Sequence, residues 1–311
     1  MKKDIIYSMK SPYRDEFRIH GFRFGEGEKS LAIVGPMRGD EVQQQYIISQ
    51  LVRKLLLLET AGQLTDGCEI LVIPSANPYS MNIEKRFWAM DDTDINRMFP
   101  GFENGETTQR IAAALFKAIE GYEYGIQMAS FYMPGSFIPH VRMLKTGYEA
   151  MEEARWFGMP YVSTHKPKPF DTTLLNYNWQ IWNTKAFSVY GGQTHAMANK
   201  SSVITLEAIL RFMKQAGIIS SDVRVGSGYS STMLNEDHDL VTVKATTGGI
   251  FYKYKDAADE VSRGETLAAI IDPYLGAVLS ELKSPVDGEV FFAHDKPLAL
   301  QGTPLYKIRV Y

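Results

Sequence analysis

Arg38 and Glu41 stand three residues apart in a short turn, residues 35–41, which reads GPMRGDE. An arginine side chain is always charged, donates parallel hydrogen bonds to a carboxylate and has no lone pair for a metal. The two residue types at this spacing therefore predict a polar pair between Arg38 and Glu41.

The turn joins an apolar run, residues 31–34, to a long helical pattern, residues 42–58. Further apolar runs at 69–74, 124–129 and 186–190 alternate with helical patterns, which predicts a largely parallel, mixed α/β sheet flanked by helices. Ligands of such sheets bind beyond the carboxyl ends of the strands, so the turn marks the predicted cleft. Residues 74–105 and 165–183 are predicted to be long loops, which are usually functional.

The pattern of predicted elements changes near the C-terminal third of the chain. From about Val241 onward, short strand patterns are separated by turn signals such as Gly248-Gly249 and Asp287-Gly288. This pattern predicts a small all-β domain of the barrel-sandwich type. We therefore predict an α/β domain over residues 1–222 and a β-rich domain over residues 223–311.

The composition excludes several classes of protein. The net charge of −3 and the absence of a basic stripe argue against binding to nucleic acid or an anionic membrane. The single cysteine, Cys68, excludes an internal disulfide and a cysteine-rich metal site. Because no apolar run is long enough for a signal core or a membrane span, we predict a cytoplasmic protein.

Three further motifs follow the turn in a fixed order: Asn77-Pro78, Arg86 and residues 94–101, which read DINRMFPG. Together with Glu41 they resemble the succinylglutamate desuccinylase/aspartoacylase family of zinc amidohydrolases. The resemblance spans nearly the whole chain. It implies a zinc-carboxypeptidase-like α/β domain followed by a β domain.

In that family, two histidines and a glutamate hold a zinc ion, and a second glutamate takes the proton of zinc-bound water. The matching positions of the two histidines are Arg38 and Ala129 here, and that of the second glutamate is Tyr190. Glu41 is the only retained metal ligand. We therefore predict no cofactor, with Arg38 partly replacing the charge of zinc, and we take Arg38 and Tyr190 as the candidate catalytic residues.

Two alternatives to this assignment stay open. Residues 205–208, which read TLEA, also resemble the motif of the catalytic glutamate, but Glu207 lies in a helical apolar repeat, so the strand ending at Tyr190 is favoured. His140 is the best substitute for a lost ligand, although a lone loop histidine more often only makes hydrogen bonds.

The resemblance also implies a site for a substrate carboxylate. The matching residues are Arg86, Asn96 and Arg97, and Arg142 adds a fourth polar group. The alternative is that Asp94 and Arg97 form a structural ion pair. Aromatic residues nearby either line a pocket for an acyl or aryl group or pack the loops: Phe87, Trp88, Phe131, Tyr132, Tyr177, Trp179 and Trp182.

These residues predict a protein that binds a small carboxylate-bearing amino acid derivative without zinc-dependent hydrolysis, or that partners an active paralogue. Its assembly would then be a homo-oligomer or a hetero-oligomer. The alternative is an active amidohydrolase that cleaves N-acyl amino acids. It would use a metal site rebuilt from Glu41 and His140, or a metal-free reaction of Arg38, Tyr190 and Glu41.

Overall fold

The computed structural model describes residues 1–11, 14–229, 233–236 and 239–311. These residues form two compact units that interleave along the chain. The first unit consists of Met1–Ser130, Pro139–Gly191 and Ala196–Leu234. The second unit consists of Phe131–Ile138, Gly192–His195 and Asn235–Tyr311, so it includes two short segments from the middle of the chain.

Strands and helices alternate through most of the first unit, whereas the C-terminal part of the chain is built from strands. The strands are β1 (Lys2–Ser11), β2 (Arg14–Phe24), β3 (Gly27–Val34), β4 (Gly67–Ile73), β5 (Tyr124–Ala129), β6 (Gly135–Phe137), β7 (His140–Leu144), β8 (Tyr161–His165), β9 (Lys185–Tyr190), β10 (Met233–Glu236), β11 (Leu240–Lys244), β12 (Gly249–Lys253), β13 (Glu260–Val261), β14 (Thr266–Ile271), β15 (Val278–Lys283), β16 (Gly288–His294), β17 (Leu298–Ala299) and β18 (Pro304–Val310). The α-helices are α1 (Val42–Thr60), α2 (Pro78–Met81), α3 (Thr107–Ile119), α4 (Met151–Arg155), α5 (Leu175–Ile181) and α6 (Asn199–Gln215), with 3₁₀ turns at Ile95–Arg97 and Pro169–Thr173.

One large sheet organises the first unit. Within the described ranges its strand order is β1-β2-β4-β3-β5-β9-β7-β8-β10. The central strands β4, β3, β5 and β9 run parallel, and β2 and β7 pair with them in antiparallel fashion. The predicted mixed, largely parallel α/β sheet is confirmed.

The two faces of this sheet are covered by different helices because side chains alternate along each strand. On β3, Leu31 and Ile33 pack in one core with residues of α1 and α6. Ala32 and Val34 pack in a second core with residues of α3 and α5. The apolar pattern of β3 is therefore continuous, as expected for a strand buried on both faces.

The predicted loop at residues 165–183 is wrong in part, because it contains α5. Trp179 of this helix is fully buried, and a Cβ added at Gly125 would lie 2.9 Å from its ring. Trp88 is buried in the same core. Both tryptophans therefore pack the interior rather than line a pocket. A seven-residue helix is too short for its apolar repeat to show clearly in the sequence.

The second unit is all-β, as predicted. In its described residues, one sheet has the order β11-β18-β16-β13 with β6 added to β16, and the other has the order β15-β14-β12-β17. The neighbouring strands in these two orders pair in antiparallel fashion. Between them lies a small core that includes Phe251, Ile270, Val290 and Ile308. The helices of the described ranges lack the combination of length and apolarity needed to cross a bilayer.

Two glycines allow the turn after β3 to approach the loop after β4. The amide of Gly35 donates to the carbonyl of Ile73, and a Cβ at Gly35 would lie 2.0 Å from the carbonyl oxygen of Pro74. A Cβ at Gly39 would lie 2.3 Å from the backbone of Ser80. No side chain fits at such distances, so the backbone would have to move.

We expect Gly35→Ala to lower the free energy of unfolding by about 2 kcal/mol or more. The added Cβ would overpack against the backbone that follows β4, so either the turn or that backbone would have to move. Urea denaturation measures this change. Gly248→Ala is the matched control, since its new Cβ would meet only the carbonyl oxygen of Ala299 at 3.6 Å. Equal losses in the two variants would show that the close approach is not required.

Candidate functional site

The strands that lead to the predicted cleft are neighbours in the sheet. β3 lies beside β5, and β5 lies beside β9, with all three parallel. Ala129 at the end of β5 is in register with Tyr190 at the end of β9. The turn at residues 35–41, Ala129 and Tyr190 therefore share the carboxyl edge of the sheet.

The guanidinium of Arg38 lies between two carboxylates. Its Nη2 and Nε donate to Oδ2 of Asp94 at 2.8 and 3.3 Å. Its Nη1 donates to Oε1 of Glu41 at 3.4 Å. The predicted Arg38–Glu41 pair is confirmed, and Asp94 makes the shorter contact. Arg38 thus links the turn to the loop after β4.

Glu41 is almost fully buried, and its carboxylate is engaged by groups of the protein. Besides Arg38, the hydroxyl of Ser130 donates to its Oε1 at 2.8 Å. Burial raises the pKa of Glu41, while the charges of Arg38 and Arg86 oppose that rise. Burial alone would lower the pKa of Arg38, but Asp94 and Glu41 outweigh it and leave that pKa raised. Arg38 is therefore a permanent cation here.

A second ion pair lies next to the first. Nη1 of Arg86 donates to Oδ2 of Asp40 at 3.0 Å, and the backbone carbonyl of Arg86 accepts from the amide of Gly39. Asp40 is buried and directly precedes Glu41. Arg86 is therefore held against the same turn. We call Arg38, Asp40, Glu41, Arg86 and Asp94 the charged cluster.

Tyr190 lies in a second group of polar residues, and it also interacts electrostatically with Arg38 and helps to raise the pKa of that guanidinium. Its ring stacks on the ring of His140, with centroids 4.6 Å apart and an interplanar angle of 13°. Nη1 of Arg142 donates to its hydroxyl at 3.5 Å, and Nε of Arg142 donates to Nδ1 of His165 at 3.0 Å. The plane of the Arg142 guanidinium is thus fixed by a phenol and an imidazole.

The DINRMFPG run joins the turn to the start of α5 and to the 3₁₀ turn before it. Oδ1 of Asp94 accepts from the amide of Asn96 at 3.1 Å, and the side chain of Asn96 accepts from the amide of Leu175 at 3.3 Å. Arg97 pairs with Asp171 at 3.4 Å. The alternative of an Asp94–Arg97 ion pair is therefore wrong.

Asp171 also connects Arg97 to the group around Tyr190. Its Oδ2 lies 3.8 Å from Nε2 of His165, and His165 accepts from Arg142. Arg97 additionally donates to the carbonyl of Phe170 at 2.7 Å. Two of the four predicted carboxylate-binding residues, Arg97 and Arg142, are thus linked by one chain of contacts.

The side chains at the positions that the family resemblance assigns to zinc ligands do not fit a zinc ion. A guanidinium and a methyl group have no lone pair, so Arg38 and Ala129 cannot be ligands. Glu41 already accepts hydrogen bonds from Arg38 and Ser130. Among the residues that the structure describes, no three His, Cys, Asp or Glu side chains lie close enough to hold a metal.

Sequence reasoning missed two members of the site, Ser130 and Asp171, and it considered His165 only as a loop histidine that was less favoured than His140 as a substitute ligand. Ser130 directly follows the singled-out Ala129, so its place at a strand end was the available signal. Asp171 gave no comparable signal because its partners are distant in sequence. Glu207 lies on α6, as the helical repeat predicted, and accepts from the amide of Gly226.

The chain is similar to a family of amide-cleaving enzymes. Residues 27–215 match the sequence model described as the succinylglutamate desuccinylase/aspartoacylase catalytic domain. The N-alpha-acetyl-L-2,4-diaminobutyric acid deacetylase of Halomonas elongata is 22% identical over 258 residues, which are 80% of this chain and 72% of that protein.

Solved structures show the same fold at low identity. A succinylglutamate desuccinylase/aspartoacylase from Rhodobacter sphaeroides superposes with a TM-score of 0.77 at 21% identity, covering 94% of this chain and 89% of that one. The product-bound ectoine utilization protein EutE (DoeB) from Ruegeria pomeroyi superposes with a TM-score of 0.80 at 18% identity, covering 95% and 90%.

We expect Arg38→Met to lower the free energy of unfolding by about 3–5 kcal/mol near neutral pH, because the buried Glu41 and the partly buried Asp94 lose their shared cation. A carboxyl group whose pKa is raised on folding binds more protons in the folded state, so its contribution to stability falls as the pH rises through that pKa. The pKa of Glu41 is raised above 4.5 by burial. The loss should therefore shrink on acidification, as measured by urea unfolding at about pH 5 and pH 7.5.

Arg97→Met is the control, because it removes an ion pair whose arginine is 37% exposed. It should cost less than about 1 kcal/mol at either pH. Adding Glu41→Gln to Arg38→Met should recover part of the stability at neutral pH. A loss from Arg38→Met that is the same at both pH values, or no larger than that of the control, would contradict the prediction.

Proposed function

This chain belongs to the succinylglutamate desuccinylase/aspartoacylase family, and we propose that within it the protein binds a small carboxylate-bearing amino acid derivative without zinc-dependent hydrolysis. One observation carries the proposal: the carboxylate of Glu41 is held by Arg38 and Ser130. A catalytic zinc site needs three protein ligands and an open position for water. The positions matching the other two ligands are Arg38 and Ala129, which offer no lone pair.

In this proposal Arg142 binds the carboxylate of the ligand. Its contacts with Tyr190 and His165 fix the plane of the guanidinium, and a fixed plane suits the bidentate geometry of a carboxylate. Arg97 is partly exposed and is joined to Arg142 through Asp171 and His165, so it is the second binding group.

In the same proposal, Arg86 and Asn96 stabilise the site without binding the ligand. Arg86 is paired with Asp40, and the Asn96 side chain is hydrogen-bonded to the backbone of Leu175. Both are therefore occupied in holding the loop after β4. His140 has the comparable task of supporting the ring of Tyr190.

A second candidate is hydrolysis of N-acyl amino acids, and the similarity to the Halomonas deacetylase favours it. The charged cluster argues against a zinc-dependent version, because Glu41 already accepts hydrogen bonds from a guanidinium and a hydroxyl. A non-hydrolysing member could also serve as the partner subunit of an active paralogue. These two alternatives differ from simple ligand binding in what would copurify with the protein. Zinc would copurify with a zinc-dependent hydrolase, and the active paralogue would copurify with a partner subunit.

We expect protein purified without chelator to carry less than about 0.1 zinc per chain, by elemental analysis, because its donor set is incomplete. Calorimetric titration with N-acetyl and N-succinyl amino acids should show binding that EDTA does not change. Arg142→Met should weaken binding at least about tenfold, since a charge-assisted hydrogen bond is lost. Arg155→Met, which removes an exposed pair with Glu152, is the control and should bind normally.

Three results would count against this function. One zinc per wild-type chain would overturn the metal-free site. Turnover of an N-acyl amino acid that EDTA abolishes would establish the hydrolase instead. Equal binding by Arg142→Met and Arg155→Met would show that Arg142 does not hold the carboxylate.

We expect the combined substitutions Arg38→His, Ala129→His and Tyr190→Glu to create a zinc site. The variant should bind about one zinc per chain, because three protein ligands and a general base are then present at one sheet edge. Zinc-dependent hydrolysis of N-acyl amino acids should accompany it. The control is Arg38→His with Ala129→His, which should bind zinc without hydrolysing. No zinc in either variant would show that the cleft is not a modified copy of the family site.

A further inference from the structure

Two cationic side chains at the C-terminal end of α6 hold a separate segment of the chain. Nη1 of Arg211 donates to the carbonyls of Gly226 and Ser227 at 2.9 and 3.3 Å. Nζ of Lys214 donates to the carbonyl of Val223 at 3.0 Å. Both cationic residues are half-buried. The backbone of the segment therefore fixes where their two charges lie.

The charges of Arg211 and Lys214 are satisfied by carbonyl groups rather than by carboxylates. Within the part of the chain that the structure describes, neither residue forms an ion pair. Burial lowers the pKa of Arg211, and the charge of Glu207 opposes this effect only in part. The carboxylate of Glu207 itself accepts from the amide of Gly226. Because an anion beside a partly buried cation stabilises it, both residues would gain from a bound anion.

The two cations line a groove that lies within the first unit. Its volume is about 490 Å³, which is in the range of small-molecule sites. Among the described residues that line it, none is an aspartate or a glutamate. We call it the basic groove, and its lining includes Arg211, Lys214, residues 226–228, Trp156 and Tyr229. Its surface is therefore positively charged and attracts anions.

Two glycines allow close backbone packing beside the basic groove. The amide of Tyr229 donates to the carbonyl of Gly158 at 2.9 Å. A Cβ at Gly158 would lie 2.9 Å from Nε of Arg211, and a Cβ at Gly228 would lie 3.0 Å from the same atom. Gly158 has a φ of +57°, which glycine adopts without steric cost. The groove is thus preformed, and a preformed site loses little entropy when a ligand binds.

We propose that the basic groove binds the phosphate group of a small molecule that carries a planar ring. Arg211 and Lys214 are three residues apart on α6, so their side chains lie on one side of the helix. A phosphate monoester carries about −1.5 to −2 charges at neutral pH and three acceptor oxygens. It therefore matches two neighbouring cations better than a carboxylate, which carries a single charge.

Further donors and an aromatic ring complete the site. Lys214 uses one N–H on Val223 and keeps the others. Within the described residues, the amides of Ser227 and Gly228 make no hydrogen bond, so they can donate to an anion. The side chain of Tyr229 is 53% exposed, which leaves its ring surface open to stacking with a planar group.

The overall charge favours a small molecule over a nucleic acid strand. The chain has a net charge of −3, and the basic groove is local rather than part of a basic stripe. Binding of a nucleic acid strand relies on several lysines and arginines that follow its phosphates. Two cations fit one phosphate group instead.

Calorimetric titration of the full chain with adenosine 5′-monophosphate, adenosine and inorganic phosphate tests the proposal. The monophosphate should bind with a dissociation constant below about 1 mM, and the other two probes at least about tenfold more weakly, because each lacks one of the two contacts. Lys214→Met should weaken binding of the monophosphate at least about tenfold, since a charge-assisted hydrogen bond is lost. Tyr229→Ala should weaken it about tenfold through lost stacking.

Lys214→Arg and Lys117→Met are the controls. Lys214→Arg keeps the charge and should bind within about threefold of the wild type. Lys117 lies in the last turn of α3, as Lys214 does in α6, and its side chain is 76% exposed. Lys117→Met should therefore bind the monophosphate like the wild type.

Four results would overturn the proposal. The first is that neither the monophosphate nor inorganic phosphate binds at about 10 mM. The second is equal binding of the monophosphate by Lys214→Met and Lys117→Met. The third is adenosine that binds as tightly as its monophosphate, which would show that the groove does not recognise phosphate. The fourth is a single-stranded oligonucleotide that binds more tightly than the monophosphate and is lost in Lys214→Met, which would assign the groove to nucleic acid.

Discussion

The cleft depends on the ion pairs of one largely buried guanidinium, that of Arg38. Arg38 lies between Glu41 of the turn and Asp94 of the loop, two carboxyl groups that would otherwise repel each other. A charge in the interior persists only when its partners are close and hydrogen-bonded. Each carboxylate fixes a further group, since Asp94 accepts from the amide of Asn96 and Glu41 accepts from Ser130. The charge of Arg38 thereby holds together the turn, the loop after β4 and the residue that follows β5.

A guanidinium and a zinc ion can both neutralise a carboxylate, but they differ in what else they do. Zinc accepts lone pairs and lowers the pKa of bound water. Arginine donates hydrogen bonds and leaves water unactivated. A carboxylate such as Glu41 can therefore be retained in either setting, and its presence alone says little about chemistry. In the assignment that we propose, Ala129 and Tyr190 carry more information, because a methyl group cannot bind a metal and a phenol stands in place of a carboxylate.

The fold and the Arg38–Glu41 pair could be predicted because both rest on local patterns. Apolar runs of strand length, helical repeats and a three-residue spacing are all visible in the sequence. The partners of Asp94 and Arg97 could not be predicted, because their choice of Arg38 and Asp171 depends on how distant loops meet. The same holds for α5, whose seven residues are held by the burial of Trp179. Tertiary packing decides such short elements.

The contact of Ser130 with Glu41 joins residues that are 89 positions apart in sequence. It can close only after β3 and β5 have paired in parallel, and such non-local pairing is slow because the loop entropy must be lost first. The contact therefore depends on the parallel pairing of β3 with β5, which brings the ends of the two strands together. A chain in which this pairing had not formed would contain the turn but not the arrangement of charges around it.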